Sequence, residues 1–270
     1  ADWLTAPDNP FFARALVNRV WRNFLGRGLV EAEDDLRQTN PASNEELLDA
    51  LARDFKAHGY DLKHLMRAIM NSAAYQRSSR ALPGNASDDR YYARYLIRRL
   101  PAEVVLDAYS AITKIPTAFA KVQVGSSGGD AATVDYPLGT RALQLPDTQL
   151  VSQFLDAFGR PERGQTCSCE RQQESSVAQA LHLNNGQTLN YKLRDRKSRV
   201  EEWLAEKIGD QEALRRLYVL ALCREPTSDE RKHFTLMLTE ASGDNHTTRR
   251  EVLEDLFWSV LTGREFLFNK

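Results

Sequence analysis

The sequence is poor in sulfur and has no long apolar run. Its 270 residues include three cysteines and three methionines. Three cysteines do not form a disulfide scaffold, and the odd number leaves at least one without an internal partner. No apolar stretch approaches the roughly 20 residues that a membrane-spanning helix needs. The opening "ADWLTAPDNP" contains neither an initiator methionine nor a signal peptide, so we expect a piece of a longer protein.

An excess of charge of one sign is also lacking. The 36 basic and 37 acidic residues give a formal net charge of -1. Binding nucleic acid through bulk charge requires a basic surface, so we expect no nucleic-acid partner. The basic run "LRDRKSR" at 193–199 is followed at once by acidic residues, which favours a solvated helix start over a phosphate site.

Several signatures of chemistry are missing as well. The sequence has no H-E-x-x-H metalloprotease motif, and the stretch "GSSGGD" at 125–130 lacks the following Lys-Ser/Thr of a phosphate cradle. The segment "CSCER" lacks the C-x-x-C-H by which a c-type haem is attached. We therefore expect no cofactor within this chain and favour a protein that is not an enzyme.

Signals for helices recur through residues 1–115, where polar residues precede apolar runs with helical spacing. A further helix is expected in "DDRYYARYLIRR" (88–99) and another from Pro101 onwards. The predicted N-terminal caps are Asn9, which precedes Pro10, then Ser43 with Glu46 as its capping-box partner, and Asp61.

The composition changes in the middle of the chain. Between residues 116 and 195, glycines, prolines and β-favouring residues predict a long irregular segment with one or two short strands. Residues 196–270 return to helix, with a capping box at Thr227 and Glu230 and with Cys223 as a core residue. The predicted fold class is mainly α, a single domain over 1–270 with helical bundle-like modules at both ends.

Two helical stretches of the chain resemble each other. "LKHLMRAIMNSAAY" (62–75) and "LEDLFWSVLTGREF" (253–266) align without gaps at their apolar positions. One interpretation is an internal duplication, and the other is that any two amphipathic helices share this periodicity. Both interpretations stay open.

The segment "TCSCER" (166–171) places Cys167 and Cys169 one residue apart. A disulfide between them would close a very small, strained and labile ring, and would be redox-active or structural. Metal ligation is a second interpretation, with His182 as a third ligand, although zinc normally takes four ligands from C-x₂₋₄-C pairs. Reduced structural thiols are the third interpretation.

Charged residues crowd around this cysteine pair. One interpretation is a polar pocket for an anionic or sugar-like ligand, in which arginine binds the anion; the other, which we favour, is a structural network of arginine–carboxylate pairs. Among the five histidines, only His182 is a candidate member of such a site, while His58 suits the end of a helix and His64 lies at an unremarkable position on a predicted helix. The candidate pocket or network residues are Arg141, Asp147, Asp156, Arg160, Glu170, Arg171 and His182.

These segments together resemble a known family. "DNPFFARALVNRVWRNFLGRGLV", "NPASNEELLDALARDF", "GYDLKHLMRAIMNSAAYQRSS", "FLDAFGRPERGQTCSCER", "VAQALHLNNG" and "REFLFN" are similar to the planctomycete family of domain of unknown function 1553. The resemblance runs nearly end to end, and the "FGRP…CxCER" segment is its most specific part. The family has no established activity that could be transferred to this chain.

The resemblance implies a setting rather than a reaction. Members form the C-terminal parts of large exported bacterial proteins, often with a cytochrome-c-like haem domain upstream. It implies an extracytoplasmic location, periplasmic or at the cell surface, with other domains of the same polypeptide as partners and haem only in a neighbouring domain. We expect a non-catalytic structural or interaction domain; the alternatives are a polysaccharide-acting or ligand-binding domain with its pocket at residues 147–171, and a redox-active cysteine pair.

Overall fold

The computed structural model describes residues 2–6, 8–33, 35–123, 132–145, 150, 152–160, 179, 186–243 and 248–269. The described chain is mainly helical with short strands, which confirms the predicted fold class. No described helix combines the length and the apolar character needed to cross a membrane. The chain forms two compact units, residues 1–98 and 99–269.

The first unit is built from helices around one aromatic-rich core. Helix α2 packs against both α3 and α4, and Trp21 and Phe55 are almost completely buried between them. Burying a large apolar side chain stabilises a fold by about 1.5–3 kcal/mol, so these helices stabilise one another chiefly through this core. The helices are α1 (Asp2–Thr5), α2 (Phe12–Leu25), α3 (Glu45–Ala57) and α4 (Leu62–Met70).

Asp61 is confirmed as the N-cap of α4, and Asn9 makes the hydrogen bonds expected of a cap although the N-cap position of α2 itself is Phe11. Asn9 Oδ1 accepts the backbone N–H groups of Phe11 and Phe12 at 2.8 and 3.0 Å, and Asp61 Oδ1 accepts those at the start of α4. The third prediction, Ser43 with Glu46, is wrong by one residue.

The cap of α3 is Asn44, whose Oδ1 accepts the N–H of Leu47 at 2.9 Å. The backbone N–H of Ser43 donates to Leu29 O at 2.7 Å, which fixes residue 43 in the preceding loop. Both residues are good capping types, so only this long-range hydrogen bond decides between them.

The helix predicted over 88–99 is not present. The Asp88 carboxylate accepts the backbone N–H groups of Arg90, Tyr91 and Ala93 at 2.9–3.2 Å, which competes with helical hydrogen bonding. Tyr92 adopts a left-handed φ of 57° and donates its hydroxyl to Gly28 O at 2.8 Å. The chain at residues 88–99 therefore adopts turns that bury Tyr92 against the core, and not a helix.

The second unit contains the remaining elements. Its helices are α5 (Ala102–Thr113), α6 (Gln153–Ala157), α7 (Gln187–Arg194), α8 (Arg199–Ala205), α9 (Asp210–Leu222), α10 (Ser228–Gly243), α11 (Arg249–Thr262) and α12 (Arg264–Leu267). A single 3₁₀ turn covers Ala142–Gln144 among the described residues, and the strands are β1 (Arg98–Arg99) at the boundary between the units, β2 (Ala120–Gln123), β3 (Ala132–Asp135) and β4 (Phe268–Asn269).

Helix α5 lies at the centre of the second unit. It packs against α6, α7 and α8, and Tyr109 on it is 1% exposed. Strands β2 and β3 form an antiparallel pair in which Ala120 faces Asp135 and Gln123 faces Ala132. The central segment thus contains the short strands that its composition predicts.

The boundary between the units differs from the predicted subdivision. The sequence assigned residues 1–115 to the N-terminal helical part, whereas the first unit ends at residue 98 and α5 belongs to the second. The reason is packing, because the apolar face of α5 is buried in the second core. The single-domain organisation stays a prediction, as does the duplication, whose two segments lie in different units.

Two predictions near the end of α9 have opposite outcomes. Cys223, predicted as a core residue, is exposed, because it caps the helix with a left-handed φ of 55° just beyond the helix's last turn. The capping box is confirmed, since Thr227 N–H donates to Glu230 Oε2 at 2.7 Å and Glu230 N–H donates to Thr227 Oγ1 at 3.3 Å.

Candidate functional site

Most of the predicted site lies outside the described residues. The side chains concerned are Cys167, Cys169, Asp147, Glu170, Arg171 and His182. The disulfide, metal and reduced-thiol interpretations of the cysteine pair therefore stay predictions, and so does the ligand pocket at residues 147–171.

Asp156 and Arg160 are described, and they form an ion pair. Arg160 Nη2 donates to Asp156 Oδ1 at 2.9 Å and to Leu150 O at 2.8 Å. The arginine thus links the end of α6 to the chain that precedes it, as a structural network would. Arg141 is exposed, and its backbone N–H donates to Gln144 Oε1 at 3.0 Å in the 3₁₀ turn.

A buried amine lies at the C-terminal end of α5, at a place that the sequence did not indicate. Lys192 Nζ donates to Ile115 O at 2.6 Å and lies 3.2 Å from Ser110 Oγ. Burial lowers the pKa of Lys192 to about 8, and a serine beside such a lysine has the composition of a nucleophilic pair. Arg199 Nε donates nearby to Ile112 O at 2.6 Å, so both cations satisfy carbonyls at the end of α5, where a positive charge suits the helix dipole.

The stretch "GSSGG" (125–129) has the G-x-S-x-G spacing of a nucleophile elbow. That motif requires a strand that turns directly into a helix. Here the stretch lies between β2 and β3, which pair antiparallel. The flanking structure is therefore that of a strand-to-strand connection, although residues 124–131 are outside the described chain.

The structure brings together three side chains of types that can ligate metals in the first unit, Asp54, His58 and His64. His64 Nε2 lies 2.8 Å from Asp54 Oδ2, and His58 Nδ1 lies 3.2 Å from Asp54 Oδ1. The two imidazole rings are stacked, with centroids 3.6 Å apart and planes inclined by 17°. All three side chains are between a third and a half exposed, so the site is open to solvent.

Local backbone structure explains why these three meet. Asp54 is in the last turn of α3 and His58 is its C-terminal cap, with its N–H donating to Asp54 O at 3.1 Å. Gly59 and Tyr60 then both adopt left-handed φ angles of 62°, which reverses the chain over two residues. Asp61 caps α4 and places His64 in its first turn.

The charges around the chain reversal at residues 59–60 favour the close approach of Asp54, His58 and His64. The backbone N–H groups of His64 and Lys63 hold the pKa of Asp61 below its ordinary value, so the cap is an anion at the N-terminus of α4. The Asp54 carboxylate is hydrogen-bonded to His64 Nε2, while His58 Nδ1 is hydrogen-bonded to the backbone carbonyl of Asp54 at 2.9 Å. The three side chains offer two imidazoles and a carboxylate, a set that binds divalent transition metals.

Sequence reasoning missed this cluster because it considered each histidine alone. A spacing of four residues between Asp54 and His58 places both on one face of a helix end, and that was a detectable signal. The position of His64 depends on the left-handed pair at residues 59–60. Tyr60 is not a residue type that predicts such a conformation.

The redox state of the cysteine pair can be tested against Cys223. Because Cys223 is exposed, it serves as an internal reference thiol. If Cys167 and Cys169 are bonded, alkylation of the unfolded, unreduced chain adds one group by mass and alkylation after reduction adds three. The Cys223→Ser variant should then give no adduct before reduction and two after it. Three adducts in the unreduced wild-type chain would contradict the disulfide.

Comparison with known proteins places the chain in a family but gives no activity. Neither the search of curated proteins nor the search of solved structures finds a match. A family of protein sequences described as "Protein of unknown function (DUF1553)" matches residues 1–238. Because the match covers most of the 270 residues, and both described units contribute to it, this chain belongs to the DUF1553 family.

Proposed function

We propose that this chain is a non-catalytic interaction domain of a large exported bacterial protein, with other domains of the same polypeptide as its partners. The observation that carries the proposal is a set of three exposed apolar side chains in one short segment of the first unit, Trp3, Leu4 and Phe11, which we call the apolar patch. These side chains are 64%, 49% and 47% exposed. Exposed apolar surface of this kind indicates a protein contact.

The backbone beneath the patch is held in place by Asn9, which is itself buried. Its Nδ2 donates to Trp3 O at 2.8 Å and its Oδ1 accepts the N–H of Phe11 at 2.8 Å, so one side chain joins both parts of the patch. Lys56 Nζ donates to Asn9 O at 2.8 Å and connects this segment to α3. Ordering apolar side chains in water is unfavourable unless a partner covers them, which supports a docking role.

One of the strongly perturbed charge clusters in the described chain is a structural network of ion pairs, which suits a non-catalytic role. Arg224 Nη2 lies 2.7 Å from carboxylate oxygens of both Glu230 and Glu265, and its guanidinium lies over the ring of Tyr218. The hydrogen bonds from Arg224 lower the pKa of Glu230 to about 2. Each partner is satisfied by the others, so this cluster holds the ends of α9, α10 and α12 together.

The test is hydroxyl-radical footprinting of this chain alone and of the full-length native protein, read residue by residue by mass spectrometry. In the isolated chain Trp3 and Phe11 should be oxidised rapidly, because both are exposed. In the full-length protein we expect their oxidation to fall roughly tenfold, since a covered side chain reacts as a buried one does. Trp203, which is 4% exposed, sets the rate for a buried ring.

A matched pair of variants separates docking from other effects. In the full-length protein, Trp3→Ala should release the neighbouring domain and restore oxidation of Phe11. Leu236→Ala removes a similarly exposed side chain on α10 and should leave Phe11 protected. Equal oxidation of Trp3 in the isolated and full-length forms would overturn the proposed contact.

The extracytoplasmic setting and the haem-bearing neighbour belong to the same proposal and rest on the resemblance to the family. Fractionation of the native host should recover the protein in the periplasm or at the cell surface, and the full-length protein should show a haem absorption band that this chain alone lacks. Recovery in the cytoplasm would contradict export. The polysaccharide-acting domain and the redox pair remain alternatives that depend on residues 147–182.

A further inference from the structure

We propose that Asp54, His58 and His64 form a binding site for a divalent transition-metal ion, with Zn²⁺ as its probe. The site joins the end of α3 to the start of α4 within the first unit. It is separate from the cysteine segment, and it does not depend on the apolar patch. It would give this unit a metal-dependent connection between two helices.

The spacing of the ligand atoms fits a metal of this kind. One ligand atom from each of the three side chains lies within 4.8 Å of the other two. Nitrogen and oxygen ligands bind Zn²⁺ at about 2.0–2.2 Å, so two ligands of one tetrahedral ion lie about 3.3–3.6 Å apart. Movements of up to about 1.5 Å would therefore bring all three to one ion, which half-exposed side chains can make by rotation.

The two imidazole rings already lie side by side, with centroids 3.6 Å apart. The rings must turn for one nitrogen of each to point at the same ion, and the partial exposure of both side chains leaves room for that rotation. Two imidazoles and one carboxylate then leave a coordination position for water or for a further ligand.

The backbone holds the ligands ready for binding. Phe55, next to Asp54, and Leu65, next to His64, are both completely buried, so each ligand is adjacent to a residue fixed in the core. The rings of Phe55 and Tyr60 meet edge to face with centroids 5.3 Å apart, which fixes the reversal between the helices. Ligands held by rigid elements lose little freedom on binding metal.

The ligand types select the class of metal. Imidazole suits zinc, copper and nickel, whereas magnesium and calcium prefer sites made of oxygen ligands. We therefore expect Zn²⁺ to bind with one equivalent per chain, and Mg²⁺ at the same concentration to show no binding. Isothermal titration calorimetry of the metal-free chain measures both.

Histidine resonances locate the ion. The chain has five histidines, and in a proton–carbon NMR spectrum zinc should shift the ring signals of His58 and His64 while leaving that of His233 in place. His233 is exposed on α10 of the second unit, so His233→Ala is the matched control for a lost surface histidine. The signals are assigned by the single substitutions.

Three variants decide the proposal. His64→Ala and the near-isosteric Asp54→Asn should each weaken zinc binding by more than about tenfold, with unchanged circular dichroism in the absence of metal, and His233→Ala should bind as the wild type does. Unaltered affinity in both site variants would overturn the site. Loss of binding in a Cys167→Ser/Cys169→Ser variant alone would overturn it as well, because the ion would then belong to the cysteines.

Discussion

Gly28→Ala is expected to reduce the free energy of unfolding of the first unit by about 3 kcal/mol. A Cβ atom at this position would lie 2.5 Å from Val30 O and 2.9 Å from Asn18 Oδ1. The second contact matters because Asn18 is completely buried and makes two hydrogen bonds with the backbone of Val30. Asn18 Nδ2 donates to Val30 O at 3.0 Å, and the N–H of Val30 donates to Asn18 Oδ1 at 2.9 Å. The methyl group would separate these partners and leave buried polar groups without hydrogen bonds.

Hydrogen exchange read by mass spectrometry measures this effect within the unit. Peptides of α2 and α3 should exchange roughly 100-fold faster in Gly28→Ala, since 1.4 kcal/mol corresponds to a factor of ten. Gly84→Ala is the matched control, because no heavy atom lies within 4 Å of its added methyl group. Similar protection in both variants would show that the Asn18–Val30 pairing does not depend on the absence of a side chain at residue 28.

Tyr109→Ala is expected to reduce the free energy of unfolding of the second unit by about 4 kcal/mol, as large-to-small core substitutions do. The Tyr109 ring is parallel to that of Phe266, with centroids 5.7 Å apart, and meets Phe154 edge to face at 5.8 Å. It therefore joins α5 to α6 and α12 at the centre of the core. Its removal leaves a cavity that these three helices cannot fill without moving.

The conservative substitution separates the ring from its hydroxyl. Tyr109 donates to Leu261 O at 3.3 Å, a long hydrogen bond, and burial raises the pKa of this hydroxyl above its ordinary value. Tyr109→Phe should therefore cost only about 1 kcal/mol. Urea denaturation followed by circular dichroism compares the three proteins, and equal losses in the two variants would assign the effect to the hydrogen bond instead of to ring packing.

Much of the helical structure follows from local sequence signals. Asn9, Asp61 and Thr227 make capping hydrogen bonds as their side-chain chemistry predicts, because a capping hydrogen bond joins residues only two or three positions apart. The short strands of the central segment are confirmed for the same reason, as alternation and turn residues act locally. The family follows from the order of these segments along the whole chain.

The predictions of local structure that were wrong share a different cause. The helix expected at 88–99 is replaced by turns because Tyr92 reaches Gly28 O, more than sixty residues away in sequence. The cap moves from Ser43 to Asn44 because the N–H of Ser43 pairs with Leu29 O. In each case a contact distant in sequence outweighs a local preference of about 1 kcal/mol.

The sequence by itself determined the class of fold, the positions of most helices and the family, since these depend on periodicity and on capping over a few residues. Only the tertiary structure decided which helices share a core, where one unit ends, and that Asp54, His58 and His64 face one another. That last result required two successive left-handed residues between α3 and α4. Such a reversal is stabilised by packing of Tyr60 on Phe55, a contact that no local pattern specifies.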